Sequence, residues 1–309
     1  MNENISELTH QVPDNVSMSD EGIRGQEKNK INPGMLYLVA TPVGNLSDIS
    51  ERAVKVLSGV DFIAAEDTRN SMRLLHHLNI HKNMISYFEH NKKTRGEIIC
   101  QRLLDGESCA LITDAGTPAI SDPGEDIVAL CAQKNIPVTS VPGPCAAIIA
   151  LTLSGLPTQR FCFEGFLSAD KNERKAQLEK LSEETRTIIF HEAPHKLIQT
   201  LGDMLEAFGG ERKISLCREL TKLNEEIMRT TLKEAVEYYK ANSPRGEYVL
   251  VLAGNDNPKS RLNELNLLSV EEHVRFYTDA GMSKMEAIKA AAKDRGVHKN
   301  EIYRQVSVK

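Results

Sequence analysis

The side chains able to hold a ligand or move a proton fall in short clusters, each following an apolar run. The longest cluster is Thr113 to Gly124, TDAGTPAISDPG, which combines Asp114, Gly116, Thr117, Ile120 and Asp122 with two prolines. Glycine lets a backbone approach a ligand closely, and proline lowers the entropy of ordering a loop. Glu66 and Asp67 in EDTR, Glu192 and His195 in HEAPH, and Arg218, Glu219 and Lys222 in RELTK are titratable groups. Such groups can accept a proton or hold an anion. Each has a plainer alternative. The long loop could be an ordinary βα turn, and Asp67 an acid complementing a helix dipole. His195 could be a helix N-terminal residue without chemistry, and RELTK a charged surface turn.

The elements that must position these groups alternate strand and helix. Strands are expected at Met35 to Ala40, Asp61 to Ala65, Met84 to Tyr87, Cys109 to Ile112 and Pro137 to Val141. Helices are expected from Asp48, with Glu51 as a capping-box partner, through Met72, Leu75 and Leu78, and over Lys92 to Leu104. Two more follow the long loop and the VPGPCAA turn. This alternation of short apolar strands with helices implies a mostly parallel sheet covered on both faces. ATPVGN, AEDTR, the long loop and VPGPCAA then share the carboxyl edge of that sheet, where open α/β sheets bind ligands.

A second alternation begins after SGLPTQR (Ser154 to Arg160). Strands are expected at 161–167, 187–191, 213–217, 226–231 and 248–254, and helices at 171–181, 195–208 and 232–241. Cys217 to Thr231 has no room for a crossover helix, so an antiparallel pair and a mixed sheet are expected there. The fold class is thus α/β, with two lobes, a cleft between them and a small C-terminal helical segment. The domain boundaries read as a flexible extension over 1–33, lobes over 34–154 and 158–255, and a tail over 264–309. The extension carries six acidic and three basic side chains and no sustained period, too polar to fold alone.

Composition sets further bounds. The net charge of −5 announces no global field for nucleic acid, and 5% aromatics without tryptophan argue against recognition built mainly on stacking. The six cysteines form no CxxC pair and read as small buried hydrophobes of a reducing cytosol, without metal. With no membrane-length apolar stretch and no apolar signal core, the protein is expected to be soluble and cytoplasmic. From Ser283 to Lys309 there are seven Lys/Arg against three Asp/Glu, spaced like a helix-turn-helix with Gly296 at the turn. That tail is either a nucleic-acid contact or a solvated cap with surplus lysines.

The ligand can be narrowed by elimination. ATPVGN lacks GxGxxG, no GxxxxGK[ST] is present, and the long loop has no basic residue. Weakly acidic, backbone-rich loops suit amide-like and cationic groups, and S-adenosylmethionine is one ligand of that kind. LYLVATPVGNLSDIS, AAEDTR, LITDAGTPAISDPG, VPGPCAAIIALTLSGLP, FEGFL, HEAPHKL, RELTKLNEE and RGEYVLVLAG occur here in order. Together they resemble the ribosomal small-subunit RNA methyltransferase I family, the RNA branch of the tetrapyrrole methylase superfamily, over roughly Met35 to Gly254.

The resemblance implies two α/β lobes with S-adenosylmethionine in the cleft between them. It implies 2′-O-methylation of a decoding-centre cytidine in 16S ribosomal RNA or the 30S particle, by a homodimer. Tetrapyrrole-modifying relatives carry Gly-Asp-Pro where this chain has Gly116, Thr117 and Pro118, so Thr117 stands in the acid's place, with Asp114 three residues earlier. Cofactor contacts carry over to Pro42 and Val43, to Asp114, Gly116, Thr117 and Ile120, and to Cys145 and Ala146. Backbone and apolar contacts are implied near Phe190 and Leu252. For the transfer itself, Glu66, Glu192 and Lys222 are the candidate bases. Arg69, Arg218, Lys222, Lys293, Arg295 and Lys299 are the candidate RNA contacts.

Overall fold

A computed structural model describes residues 30–256 and 265–306. The expected N-terminal extension lies outside these residues except for 30–33, as do positions 264 and 307–309 of the expected tail. The first sheet is wholly parallel. It contains β1 (Leu36–Val39), β2 (Phe62–Ala65), β3 (Asn83–Ser86), β4 (Cys109–Ile112) and β5 (Val138–Val141) in the order β3-β2-β4-β1-β5. Every residue of β2 and β4 is buried, which is why both read as unbroken apolar runs. One face packs on α1 (Glu51–Gly59) and on Leu75 of α2 (Thr68–His77). The other packs on α3 (Lys92–Leu104) and α4 (Gly124–Gln133).

Strand order locates the ligand edge. From β1 the chain crosses to β2 on one side, and from the adjacent β4 it crosses to β5 on the other. The neighbouring carboxyl ends of β1 and β4 therefore flank a topological switch point, where a crevice opens.

The second sheet contains β6 (Phe161–Phe166), β7 (Thr187–Glu192), β8 (Lys213–Arg218), β9 (Glu226–Thr231) and β10 (Tyr248–Leu252), ordered β6-β7-β10-β8-β9. Only β6 and β7 pair in parallel; β10 is antiparallel to β7 and β8, and β8 to β9. Side chains alternate across it. Ile188, Phe190, Ile214, Leu216, Leu250 and Leu252 pack under α6 (Lys171–Leu181), α7 (Pro194–Phe208) and α8 (Leu232–Ala241). Ile189, Cys217, Val249 and Val251 face the other way, onto α5 (Ala146–Leu153). The apolar α5, which leaves the first sheet, is thus the seam between the two sheets. Arg229 of β9 strengthens it, with Nε donating to the Leu153 carbonyl at 3.0 Å and its positive charge at the C-terminus of α5.

A buried ion pair locks α6 to α7. Arg174 Nε lies 2.7 Å from Asp203 Oδ2, both side chains largely buried, and Arg174 Nη1 donates to the carbonyls of Ser168 and Ala169 just beyond β6.

Two expectations are corrected. Ser50, not Asp48, caps α1, accepting from Ala53 N at 3.1 Å, because Asp48 closes a 3-10 turn over Leu46–Asp48. Met72 is 58% exposed, because the inward stripe of α2 runs through Ser71 and Leu75. In the tail, α9 (Val270–Asp279), α10 (Lys284–Asp294) and α11 (Lys299–Val306) share a core of Val274, Ile288, Ala291 and Ile302. Among the described residues no helix is long and apolar enough to cross a membrane.

Candidate active site

The loops at the carboxyl edge of the first sheet are bound to one another. Thr41, after β1, and Gly116, after β4, exchange N–H···O hydrogen bonds of 2.9 and 3.0 Å. Gly116 sits at φ +85°, a conformation that glycine adopts without the penalty of a Cβ. Thr117 Oγ1 donates to the Pro144 carbonyl at 2.9 Å, joining the β4 loop to the β5 loop. Asp122 closes the β4 loop on itself, accepting from the N–H groups of Ala119, Ile120 and Gly124. Thr113 Oγ1 donates to Glu66 Oε2 at 2.7 Å, so the acid after β2 is oriented by the residue after β4.

These loops face the second sheet across a cleft of ≈ 500 Å³. The first lobe contributes Val43, Glu66, Thr113 to Ala115, Ile120 to Asp122 and Ala146. The second contributes Phe166, His191 to His195, Cys217, Leu220 and Glu247 to Val249. Among the described residues no lysine or arginine lines it, while Glu66, Asp114, Asp122, Glu192 and Glu247 do. Such a lining repels phosphates and favours a cation. A further cavity of ≈ 530 Å³, lined by Asp61, His76, Lys82 and Asn83, opens at the amino ends of β2 and β3, the wrong edge for a ligand of this fold.

Among the residues expected to hold the cofactor, Val43, Asp114, Ile120 and Ala146 line the cleft, and Pro42 and Cys145 flank two of them. Gly116 and Thr117 tie the loops together behind the lining. Leu252 is corrected, and near Phe190 it is the neighbouring His191 that lines the cleft. The Phe190 side chain lies in the core beneath α7, facing away from the cleft. Leu252 pairs with Ile188 at the far end of β10, whereas Tyr248 pairs with Glu192 at the cleft end. Because β10 runs antiparallel to β7, its amino end, not its carboxyl end, faces the cleft. Tyr248 and Val249 occupy the place expected for Leu252.

The three candidate bases differ sharply. Glu192 is buried, with Oε1 accepting from Ala193 N at 2.8 Å and Oε2 from Thr200 Oγ1, so both oxygens anchor the start of α7. Lys222 Nζ lies 2.8 Å from both Glu219 and Glu247. Burial opposes its charge, but hydrogen bonds to those two carboxylates outweigh it and raise its pKa. It therefore stays an ammonium and is corrected both as a base and as a free phosphate holder. Its role is a clasp: a Cβ built on Gly44 of the β1 loop would come within 2.4 Å of Lys222 Cγ. Glu66 lines the cleft, and among the described residues its carboxylate accepts one side-chain hydrogen bond, from Thr113 to Oε2. Asp67 proves to be the N-cap of α2, accepting from Arg69 N at 2.8 Å.

The expected RNA contacts also separate. Arg69 is highly exposed, and its pair with Asp67 is of the weak surface kind. Arg218 is paired with Glu226 across β8 and β9 at 2.9 Å. Arg295 is half-buried and already engaged within the tail. Its Nε donates to His273 Nδ1 at 3.0 Å, and Nη2 to the Leu268 carbonyl. Lys293 and Lys299 are exposed.

Sequence reasoning missed His191 and Phe166, although both lay within quoted motifs. Nε2 of His191 is shielded from solvent and has no hydrogen-bond partner. Burial pushes its pKa below the ordinary value, and Glu247 offsets this only in part. The unfolded chain then binds a proton near pH ~6.5 that the folded chain does not, so stability falls as pH drops below that value. His191→Phe should flatten this slope in denaturant titrations between about pH 5 and 7. An unchanged slope would mean other groups carry it.

Residues 35–236 match the family model for Tetrapyrrole (Corrin/Porphyrin) Methylases. The ribosomal RNA small subunit methyltransferase I of Halalkalibacterium halodurans is 46% identical over 272 residues, covering 87% of this chain and 93% of that one. The chain belongs to this family. The Bacillus subtilis member is 44% identical, covering 91% of this chain and 96% of its own. The solved uroporphyrin-III C-methyltransferase of Thermus thermophilus shares the fold, with a TM-score of 0.52 at 17% identity over 71% of this chain and 94% of that one. A cobalt precorrin-4 methyltransferase superposes with a TM-score of 0.54 at 16% identity, covering 71% and 95%. The cofactor of the family is S-adenosylmethionine, and the acidic lining free of lysine and arginine fits its sulfonium.

Proposed function

We propose that this protein transfers a methyl group from S-adenosylmethionine to the 2′-hydroxyl of a cytidine ribose in the decoding centre of 16S ribosomal RNA. The observation that carries the reading is the acidic cleft in which the strand-end loops of the first sheet meet the Phe166–His191 wall of the second. The names of the relatives support small-subunit ribosomal RNA as the acceptor. The proposal includes a homodimer acting in the cytoplasm on RNA within the small subunit. It keeps the division of the chain near 154–158 and 255–264.

Bound S-adenosylmethionine supplies an electrophilic methyl group. Val43, Asp114, Ile120 and Ala146 would hold it, with Pro42 and Cys145 beside them. Much of the rate of such a displacement comes from holding the ribose oxygen in line. Glu66 takes the hydroxyl proton, since it lines the cleft and Thr113 fixes its orientation there. Glu192 and Lys222 hold the walls. Ribose-methylation mapping of 16S RNA from cells with and without the gene tests the whole reading. Loss of one 2′-O-methylcytidine is expected; an unchanged map would reject it.

The tail is assigned an RNA contact through Lys293 and Lys299, with Arg69 on the body. Changing both lysines to glutamine should reduce the log–log salt slope of RNA binding by roughly 1.5–2, with cofactor affinity intact. An unchanged slope would remove the tail from the interface.

A further inference from the structure

Phe163 and Phe166 both meet the His191 ring edge-on, with centroids 5.1 and 5.4 Å away and interplanar angles of 71° and 70°. Residues three apart on a regular strand point to opposite faces. Here a register shift between Phe163 and Gly165 in β6 breaks the alternation and turns Phe166 to the same side. Bulges near functional sites re-aim side chains in this way. The bulge is built against the ligand loop. Gly165 sits at φ +64°, and a Cβ there would come within 3.0 Å of Ser121 Oγ, itself at φ +65°. After all this, Phe166 remains 58% exposed at the cleft wall. Behind it lies the unpartnered Nε2 of His191.

We propose that Phe166 is the stacking platform for the base of the nucleotide being methylated, with His191 positioning the ring behind it. The proposal rests on the reading of the protein as an RNA methyltransferase. A nucleotide whose ribose must enter a narrow cleft leaves its own stack, and an aromatic surface recovers part of the lost stacking. The reaction brings two flat rings to this cleft, the adenine of the cofactor and the acceptor base. Phe166 suits the acceptor, because an exposed face remains open to a ring arriving from solvent on a macromolecule. One such platform is compatible with a chain poor in aromatics.

The test uses the full-length protein, small ribosomal subunits from cells lacking the gene, and calorimetry with S-adenosylhomocysteine. Phe166→Ala should raise KM for the subunits roughly 5- to 100-fold, with a smaller change in kcat. Its affinity for S-adenosylhomocysteine should stay within about twofold of wild type, which also reports an intact fold. Phe166→Trp should restore KM. An unchanged KM in Phe166→Ala would overturn the proposal. So would a parallel loss of S-adenosylhomocysteine affinity in the folded variant, which would assign the ring to the cofactor's adenine. A wild-type protein that binds S-adenosylhomocysteine but methylates no subunit would instead overturn the functional reading, and this subsite with it.

Discussion

Glu66→Gln should slow single-turnover methyl transfer by roughly 10²- to 10⁴-fold, the usual range for a lost general base. Glutamine keeps the volume and can still accept the hydrogen bond from Thr113 Oγ1. What it loses is the ability to take a proton, so S-adenosylhomocysteine affinity should not move. Glu192→Gln would act differently, because an amide there meets donors from both Ala193 and Thr200. Its effect should fall on stability before rate. If Glu66→Gln stays within about threefold of wild type, no base is needed and alignment alone carries the step.

Asp203→Ala should destabilise the protein by about 3–5 kcal/mol, as expected when one partner of a buried ion pair is removed. The change strands the Arg174 guanidinium in a buried site, where it also holds the Ser168 and Ala169 carbonyls. Those carbonyls follow the strand that carries Phe166, and α7 begins at the cleft, so the site should loosen with the fold. Denaturant unfolding at neutral pH measures the cost. A loss below about 1 kcal/mol would mean water reaches Arg174 and rescues its charge. Replacing Lys175, whose pair with Glu206 is exposed, should cost far less and serves as the control.

Much of this arrangement was legible from local pattern. The bounds of α3, β4, α6, β9 and α8 match the sequence reading, because each is delimited by nearby polar and turn residues. The convergence of the β1, β2, β4 and β5 loops also follows from pattern, since a parallel sheet brings its carboxyl ends to one edge. What failed depended on distant partners. Leu252 was carried over to the cleft from the resemblance, but the direction of β10 is set by neighbours about 35 to 60 residues earlier in the chain. Lys222 looked like a base until Glu219 and Glu247 closed on it. Arg295 looked like a free surface cation, yet its guanidinium already donates to His273 and the Leu268 carbonyl. Phe166 had one local signal, the glycine inside an otherwise regular strand pattern, which is how a bulge announces itself.

The proposed transfer requires one acidic cleft to bring a sulfonium donor and a ribose hydroxyl together. The most direct measurement mixes the purified protein, methyl-labelled S-adenosylmethionine and unmethylated small subunits, then digests the RNA to nucleosides for mass spectrometry. The label is expected in 2′-O-methylcytidine alone, at no more than one per subunit. Label on a base, or none at saturating donor, would contradict the account.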